Sequence, residues 1–304
     1  MSLSPIILFV YKRLWHTRQT IQSLQRNKLA EKSNLYIFSD GPKCPSEKNQ
    51  VDELRNYINS ITGFKKVIIQ QSDMNLGLAN SVISGISKVI REYKKAIILE
   101  DDLIISPNFL KFMNEALNFY EDNQKIFSIS GYSFPIKIPF GYTKDIYILP
   151  RSSSWGWGTW SNRWEIVDWD VKDYQTFLND KNIQRLFNLA GDDLSSMLKA
   201  QMNGQIDSWA IKWAYAHFKK KTYCLFPIRS KILNIGTDKS GTHFKAKVKK
   251  FDTQLDNDNV EEWFSNDIIP NEEILDEIRR ITKLSLIRKI INYFKYDFIN
   301  HAYS

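Results

Sequence analysis

KAIILEDDLIISPNF, residues 95 to 109, sets an apolar run directly before three consecutive carboxylates. Ala96, Ile97, Ile98 and Leu99 have the length and composition of a short buried strand, so Glu100, Asp101 and Asp102 fall where that strand leaves the core. Like charges repel more strongly the less water surrounds them, so a triplet placed there wants either open solvent or a cation. A solvated turn meets the first condition, because Asp is common where strands end. A metal site meets the second. Beyond the triplet, Ser106 suits a helix cap with Pro107 in the first turn, and Phe109, Phe112, Met113, Ala116, Leu117 and Tyr120 line one helical face.

The same alternation runs back to the start of the chain. PIILFVY (5–11), LYIF (35–38) and VIIQQ (67–71) are further apolar runs. Helical patterns separate them, the clearest being NSVISGISKVIREY with Val82, Ile86, Val89 and Tyr93 at helical spacing. Strand and helix repeated in this way predict an α/β fold, a sheet with parallel strands covered by helices on both faces. Ligands of such sheets bind beyond the carboxyl ends of the strands. The first strand ends in Tyr11, Lys12 and Arg13, the second in Ser39, Asp40 and Gly41 and the fourth in the acidic triplet, so three polar clusters converge on one edge. The glycine fingerprint of a dinucleotide fold and the Walker lysine loop are both missing, which argues against a dehydrogenase or an ATPase. The converging groups suit a nucleotide diphosphate held through Mg2+ or Mn2+. These hard cations bind through one or two carboxylates while phosphate oxygens complete the shell.

An apolar strand closed by EDD and followed by SPNF resembles the metal-binding turn of nucleotide-sugar glycosyltransferases of the GT-A fold, most like N-acetylglucosaminyltransferase I and its bacterial relatives. RLWHTRQTIQSL, SDG at 39–41 and NLGLANSVISGI at 75–86 fall in the order such enzymes show, and the similarity covers roughly residues 5 to 245. WGWGTWSNRW (155–164) and NIGTDKSGTHF (234–244) resemble acceptor-side and closing segments of bacterial sugar transferases in surface polysaccharide pathways. The eukaryotic enzyme's downstream sequence has no counterpart here, so its acceptor is not carried over. The resemblance implies a GT-A type Rossmann-like mixed sheet flanked by helices. Its catalytic domain would span residues 1–250, divided near 130 into nucleotide-sugar and acceptor halves, with a C-terminal helical extension over 251–304.

The same resemblance implies transfer of a hexosyl or N-acetylhexosaminyl group from a nucleotide-sugar donor, with uracil the preferred base, to a glycan or lipid-linked acceptor. Under it Arg13 would lie near the nucleotide, Asp40 would accept the base N–H, Glu100 and Asp101 would hold ribose or donor sugar, and Asp102 would ligate the metal. His243 would reach the metal or the diphosphate from a closing loop that also carries Asp238, Ser240 and Thr242. Arg13 equally suits a surface cation at a strand end, and Asp40 a tight SDGP turn.

SSSWGWGTWSNRW, residues 152 to 164, holds four tryptophans, of which Trp155 or Trp157 is expected to face the donor or the acceptor and at least two to be core. Inverting transfer needs a base for the acceptor hydroxyl. Asp207, just ahead of Ala210, Trp213, Ala214 and His217, resembles that base position, and it equally suits a helix cap; Asp168 and Asp170 stand in reserve.

Composition sets the outer limits. The 304 residues are 43% hydrophobic and 25% charged, ordinary for a globular chain, with a net charge of +8. The excess is concentrated. From Ile278 to Tyr296 the chain carries Arg279, Arg280, Lys283, Arg288, Lys289 and Lys295 and no acidic residue, and KAKVKK (245–250) is a second cluster. Neither accompanies a nucleic-acid motif or interleaved stacking aromatics, so no nucleic-acid partner is expected. From Asn271 onward one long amphipathic helix is expected, acidic first and basic later, with Ile287, Ile291, Phe294 and Phe298 on one face. Such a tail suits peripheral contact of residues 271–304 with anionic lipid, or packing on the body or a second subunit. The start MSLSPIILFVYKR does not read as a secretory signal, no apolar run approaches the roughly 20 residues of a membrane span, and Cys44 and Cys224 stand alone. A cytoplasmic protein, peripheral at the inner face of the cell membrane, is the expectation. Two other classes share parts of this pattern: a sugar-nucleotide nucleotidyltransferase, which should show a glycine-rich loop that YKRLWHTRQT lacks, and a non-catalytic sugar-binding protein, which leaves the acidic triplet unexplained.

Overall fold

A computed structural model of the chain describes residues 3–238, 249–258 and 262–293. In its first part β1 (Ile6–Val10) leads to α1 (Leu14–Gln25), β2 (Asn34–Ser39) to α2 (Lys48–Ile58), and β3 (Lys66–Gln71) to α3 (Leu78–Tyr93), which returns as β4 (Lys95–Glu100). These four strands are parallel. IILFV in β1 is buried along its whole length, as a strand covered on both faces must be. Side chains alternate across the pleat, so Ile6, Leu8 and Val10 enter the core under α1, α2 and α4, and Ile7 and Phe9 enter the one under α3 and α9, the later helices placed below.

Past the acidic triplet come β5 (Leu103–Ile105), α4 (Phe109–Phe119), β6 (Ile126–Ser130), β7 (Ile146–Leu149), β8 (Trp157–Trp160) and α5 (Ser161–Trp164). A helical stretch follows, α6 (Tyr174–Asn179), α7 (Lys181–Phe187), α8 (Leu194–Met202) and α9 (Trp209–Lys220), and then β9 (Tyr223–Pro227) and β10 (Ile232–Asn234). The eight-stranded sheet has the order β3-β2-β1-β4-β8-β6-β9-β7. β8 runs antiparallel between β4 and β6, β9 is parallel to β6, and β7 is antiparallel on the far edge. The expected α/β architecture, a mixed Rossmann-like sheet flanked by helices, is therefore present. β10 pairs antiparallel with β5 as a small second sheet beyond the end of β4.

Two local expectations are corrected. Ser106 does not cap α4: its hydroxyl donates to Asn108 Oδ1 at 2.6 Å, and the Leu110 N–H is taken instead by Asn27 Oδ1 at 2.9 Å. The tail is not one helix either. It forms α10 (Glu272–Thr282) and α11 (Leu286–Tyr293), separated where Lys283 turns extended at ψ 128°. The Thr282 hydroxyl bonds back to the Ile278 carbonyl at 2.8 Å, and Ser285 is a capping-type residue just before α11. Asn271 caps α10 by accepting from the Ile274 N–H at 3.0 Å.

α10 and part of the described segment before it are packed into the body. Ile274, Leu275 and Ile278 share the core of Leu103 and Phe112, and Phe264 and Ile268 lie against it. Buried Lys231, just before β10, pairs with Asp256 and Glu262. Among the described residues no helix is long and apolar enough to cross a membrane.

Candidate active site

The chain leaves β1 at Tyr11 and Lys12, whose side chains both reach Glu47, and Arg13 then swings across to the end of β4. There its Nη2 donates to Asp101 and to Asp102 Oδ2, the latter at 2.8 Å. Its Nη1 is buried with no hydrogen-bond partner. Burial works against the Arg13 charge, but Asp101 and then Asp102 outweigh it and the pKa is raised. Glu100 is pushed up to about 8, first by burial and then by the charges of Asp102 and Asp101, with the Trp209 indole N–H hydrogen-bonded to it. Burial also raises Asp101, against the pull of Arg13. The triplet is therefore tolerated as less than three full charges beside one guanidinium.

Helix α1 splints this turn. The Thr20 hydroxyl donates to the Asp101 carbonyl at 2.9 Å and accepts from the Leu103 N–H at 3.1 Å, and Ser23 Oγ accepts from the Ile105 N–H at 3.1 Å. On the other side the chain leaving β10 crosses the turn, with the Ile235 N–H on the Asp102 carbonyl at 2.9 Å. A Cβ at Gly236 would stand 2.0 Å from Asp102 Oδ2, so only glycine fits against that carboxylate as it stands. Two residues on, Asp238 Oδ2 lies 3.0 Å from His16 Nε2 on α1. His243, Ser240 and Thr242 lie outside the described residues.

Asp40 sits at the neighbouring strand end but is engaged by backbone. It accepts from the N–H groups of Gly41 at 2.9 Å, Leu76 at 2.8 Å and Gly77 at 3.1 Å, which fixes the loop leading into α3. Arg55, on α2, donates to Ser39 Oγ at 3.2 Å and to the carbonyls of Asp40 at 3.2 Å and Ser72 at 2.6 Å. Nothing in the local sequence around Arg55 marks this role. A cavity of about 190 Å³ opens beside Asp40, between Gln71, Ser72, Leu76 and Ser81.

Asp207 is exposed and caps a helix, but the helix is α3 and not α9, whose own N-cap position is Ser208. Its Oδ1 accepts from the Ala79 N–H at 3.3 Å. Gly77, at φ +79°, lets the chain pass; a Cβ there would be 3.0 Å from Asp207 Oδ2. Two residues later Trp209 is bonded to Glu100, which ties this segment to the acidic end of β4. Asp168 lies in a turn of its own, accepting from the N–H groups of Asp170 at 3.2 Å and Lys172 at 2.8 Å, and both aspartates are exposed.

No family model and no curated protein matches this chain. Among solved structures, S. aureus TarS aligns at 11% identity over 76% of this chain and 36% of that one, with a TM-score of 0.39. TarS 1-349 aligns at 11% over 78% of this chain and 62% of that one, with a TM-score of 0.41. The mannosyltransferase PcManGT from Pyrobaculum calidifontis, in complex with GDP-Man and Mn2+, aligns at 10% over 71% and 69%, with a TM-score of 0.39. Likenesses this distant decide nothing about the chemistry, so the site speaks through its own residues.

The tryptophans divide. Trp157 is wholly buried, stacked on Trp209 at 5.1 Å and beside Trp164 at 5.9 Å, so the plate expected there is a core side chain. Trp155 is half-buried, edge-on to Tyr132 at 4.6 Å. Among the described residues no group of three or more His, Cys, Asp or Glu side chains is able to hold a metal. Asp102 nonetheless offers a hard oxygen donor, and Mg2+ or Mn2+ binds through as few as one carboxylate when phosphate oxygens supply the rest. The orphaned Arg13 Nη1 beside it asks for an acceptor of that kind. The residues present therefore fit a divalent cation that arrives with a diphosphate.

Proposed function

We propose that the chain is a GT-A type glycosyltransferase that binds a nucleotide-sugar donor through Mg2+ or Mn2+ at this edge and transfers the sugar with inversion. The observation that carries the reading is the buried, partnerless Nη1 of Arg13, whose Nη2 is held by Asp101 and Asp102 at the carboxyl end of the parallel strands. A buried guanidinium nitrogen without an acceptor is costly, and a phosphate oxygen satisfies it in charge and geometry. Asp102 would hold the cation, which when bound offsets the charge of the departing diphosphate. Glu100 and Asp101 line the sugar or ribose side. Asp40, its carboxylate already taken by three backbone donors, sets the wall against which a base, uracil by preference, is read. Asp207 takes the proton of the acceptor hydroxyl as its oxygen bonds to the anomeric carbon and the bond to the diphosphate breaks. The acceptor is a glycan or a lipid-linked saccharide of a surface polysaccharide pathway, and the protein works on the cytoplasmic side of the membrane.

A panel of UDP-, GDP- and dTDP-sugars, each with and without MnCl2, tests the reading by thermal shift and donor hydrolysis. At least one donor should stabilise the protein only with metal, and Asp102→Ala should abolish that response. An Asp102→Ala protein that binds the same donor with unchanged affinity and metal dependence reduces the triplet to a turn. Release of nucleoside triphosphate from donor and pyrophosphate would instead mark a nucleotidyltransferase, and binding of free glycans without nucleotide a sugar-binding protein.

A further inference from the structure

Helices α10 and α11 treat their described apolar residues in opposite ways. α10 turns Ile274, Leu275 and Ile278 into the core and pairs its own cations, Arg279 to Asp276 at 2.7 Å and Arg280 to Glu277 at 2.9 Å. α11 turns its described apolar residues out. Leu286 is 78%, Ile287 72% and Ile291 47% exposed. Helical periodicity puts positions 286, 287, 290 and 291, all Leu or Ile, on one face and positions 288 and 289, Arg and Lys, outside it. The surrounding stretch from Ile278 to Tyr296 holds six basic residues and no acidic one. The acidic first turn of α10, Glu272 and Glu273, lies at the far end of an 11-residue helix, about 16 Å away.

We infer that α11 is a docking element for an anionic bilayer, lying in the interface plane with Leu286, Ile287 and Ile291 in the acyl boundary and the basic positions at the level of the phosphates. Charge selects the occupant. A second copy meeting α11 across a two-fold axis would set a helix whose only charged positions are Arg288 and Lys289 against the same two cations, with no carboxylate in either helix. An eight-residue helix also offers far less than the roughly 800 Å² per partner of a standard protein interface. At about 12 Å it is too short to span a bilayer, whereas lying on one asks only for an apolar stripe and flanking cations. The inference is independent of the proposed chemistry, because it is read by vesicle binding without any donor.

The test is co-sedimentation of the full chain with vesicles of phosphatidylcholine alone and of phosphatidylcholine with 30% phosphatidylglycerol, at 0.1 M and 1 M salt. Binding should require the anionic lipid and fall steeply at high salt. The double variant Ile287→Ser with Ile291→Ser should bind at least tenfold more weakly, and Lys283→Gln alone roughly fivefold, with thermal midpoints unchanged because all three residues are exposed. Equal binding by wild type and the double variant, or equal binding to neutral and anionic vesicles, overturns the inference. So does a wild-type dimer in sedimentation equilibrium that the double variant dissociates while vesicles are ignored.

Discussion

Asp207 closes a helix in the structure and is the base in the proposed reaction, and substitution separates the two roles. As the acceptor for the Ala79 N–H it closes the N-terminus of α3, a role typically worth about 1 kcal/mol of stability. As a base it would be worth about 10² to 10⁴ in rate. Asn keeps an acceptor oxygen and almost the same volume. Asp207→Asn should therefore leave the thermal midpoint and donor affinity close to wild type while transfer falls by about 10² or more, measured on one preparation. Transfer at a near wild-type rate passes the base role to Asp168 or Asp170. At this scale the sequence shows which groups are polar at strand ends, and Arg13, Asp40 and Asp102 are visible in it. It does not show which far-off residue will meet them. Gly236 against Asp102, and Asp207 on α3 instead of its own helix, are long-range facts with no local signal.

Elements were legible where one physical requirement acted alone. The apolar runs at 5–11, 35–38 and 96–99 became β1, β2 and β4 because strands covered on both faces have little other choice of composition, and the run at 67–71 became β3 on the half-buried edge of the sheet. β8 was not legible, because a tryptophan suits a sugar and a core equally well, and only insertion of that strand between β4 and β6 buries Trp157. Another tie between elements is equally invisible in sequence and yields a prediction. Arg151, just past β7, grips Asp193, at the N-cap position of α8, with two bonds of 2.8 Å. Burial raises the Asp193 pKa, but Arg151 more than reverses this and the carboxyl is lowered. The pair's contribution is thus present above the unfolded carboxyl pKa near 4 and fades as pH falls through the lower folded value. Arg151→Met should cost about 1 to 3 kcal/mol in urea unfolding at pH 7, because half-buried Asp193 is left charged without its partner. The deficit should shrink below about pH 4, where that carboxyl is protonated in the variant's folded and unfolded states alike. A deficit that stays constant from pH 7 to pH 3 means packing, not charge, is what was lost.

The molecule as a whole is one body in which the last described helices have different standing, and truncation reads the difference. A chain ended after residue 284 loses α11, whose described apolar side chains Leu286, Ile287 and Ile291 are exposed, and none of the described core residues. It should keep its unfolding free energy within about 0.5 kcal/mol and its donor affinity unchanged. A chain ended after residue 270 loses α10 as well, and with it Ile274, Leu275 and Ile278 from the core that also holds Leu103 beside the acidic turn. Burying each such side chain is worth roughly 1.5 to 3 kcal/mol, against a total stability of about 5 to 15 kcal/mol for a typical protein. The shorter chain should therefore be marginal or unfolded in urea titrations, and whatever folded fraction remains should bind donor poorly because β5 and the turn before it rest on that core. If the 270-residue chain is as stable as the 284-residue one, α10 only lies against the surface, and the sheet with its small β5–β10 partner holds the site without help.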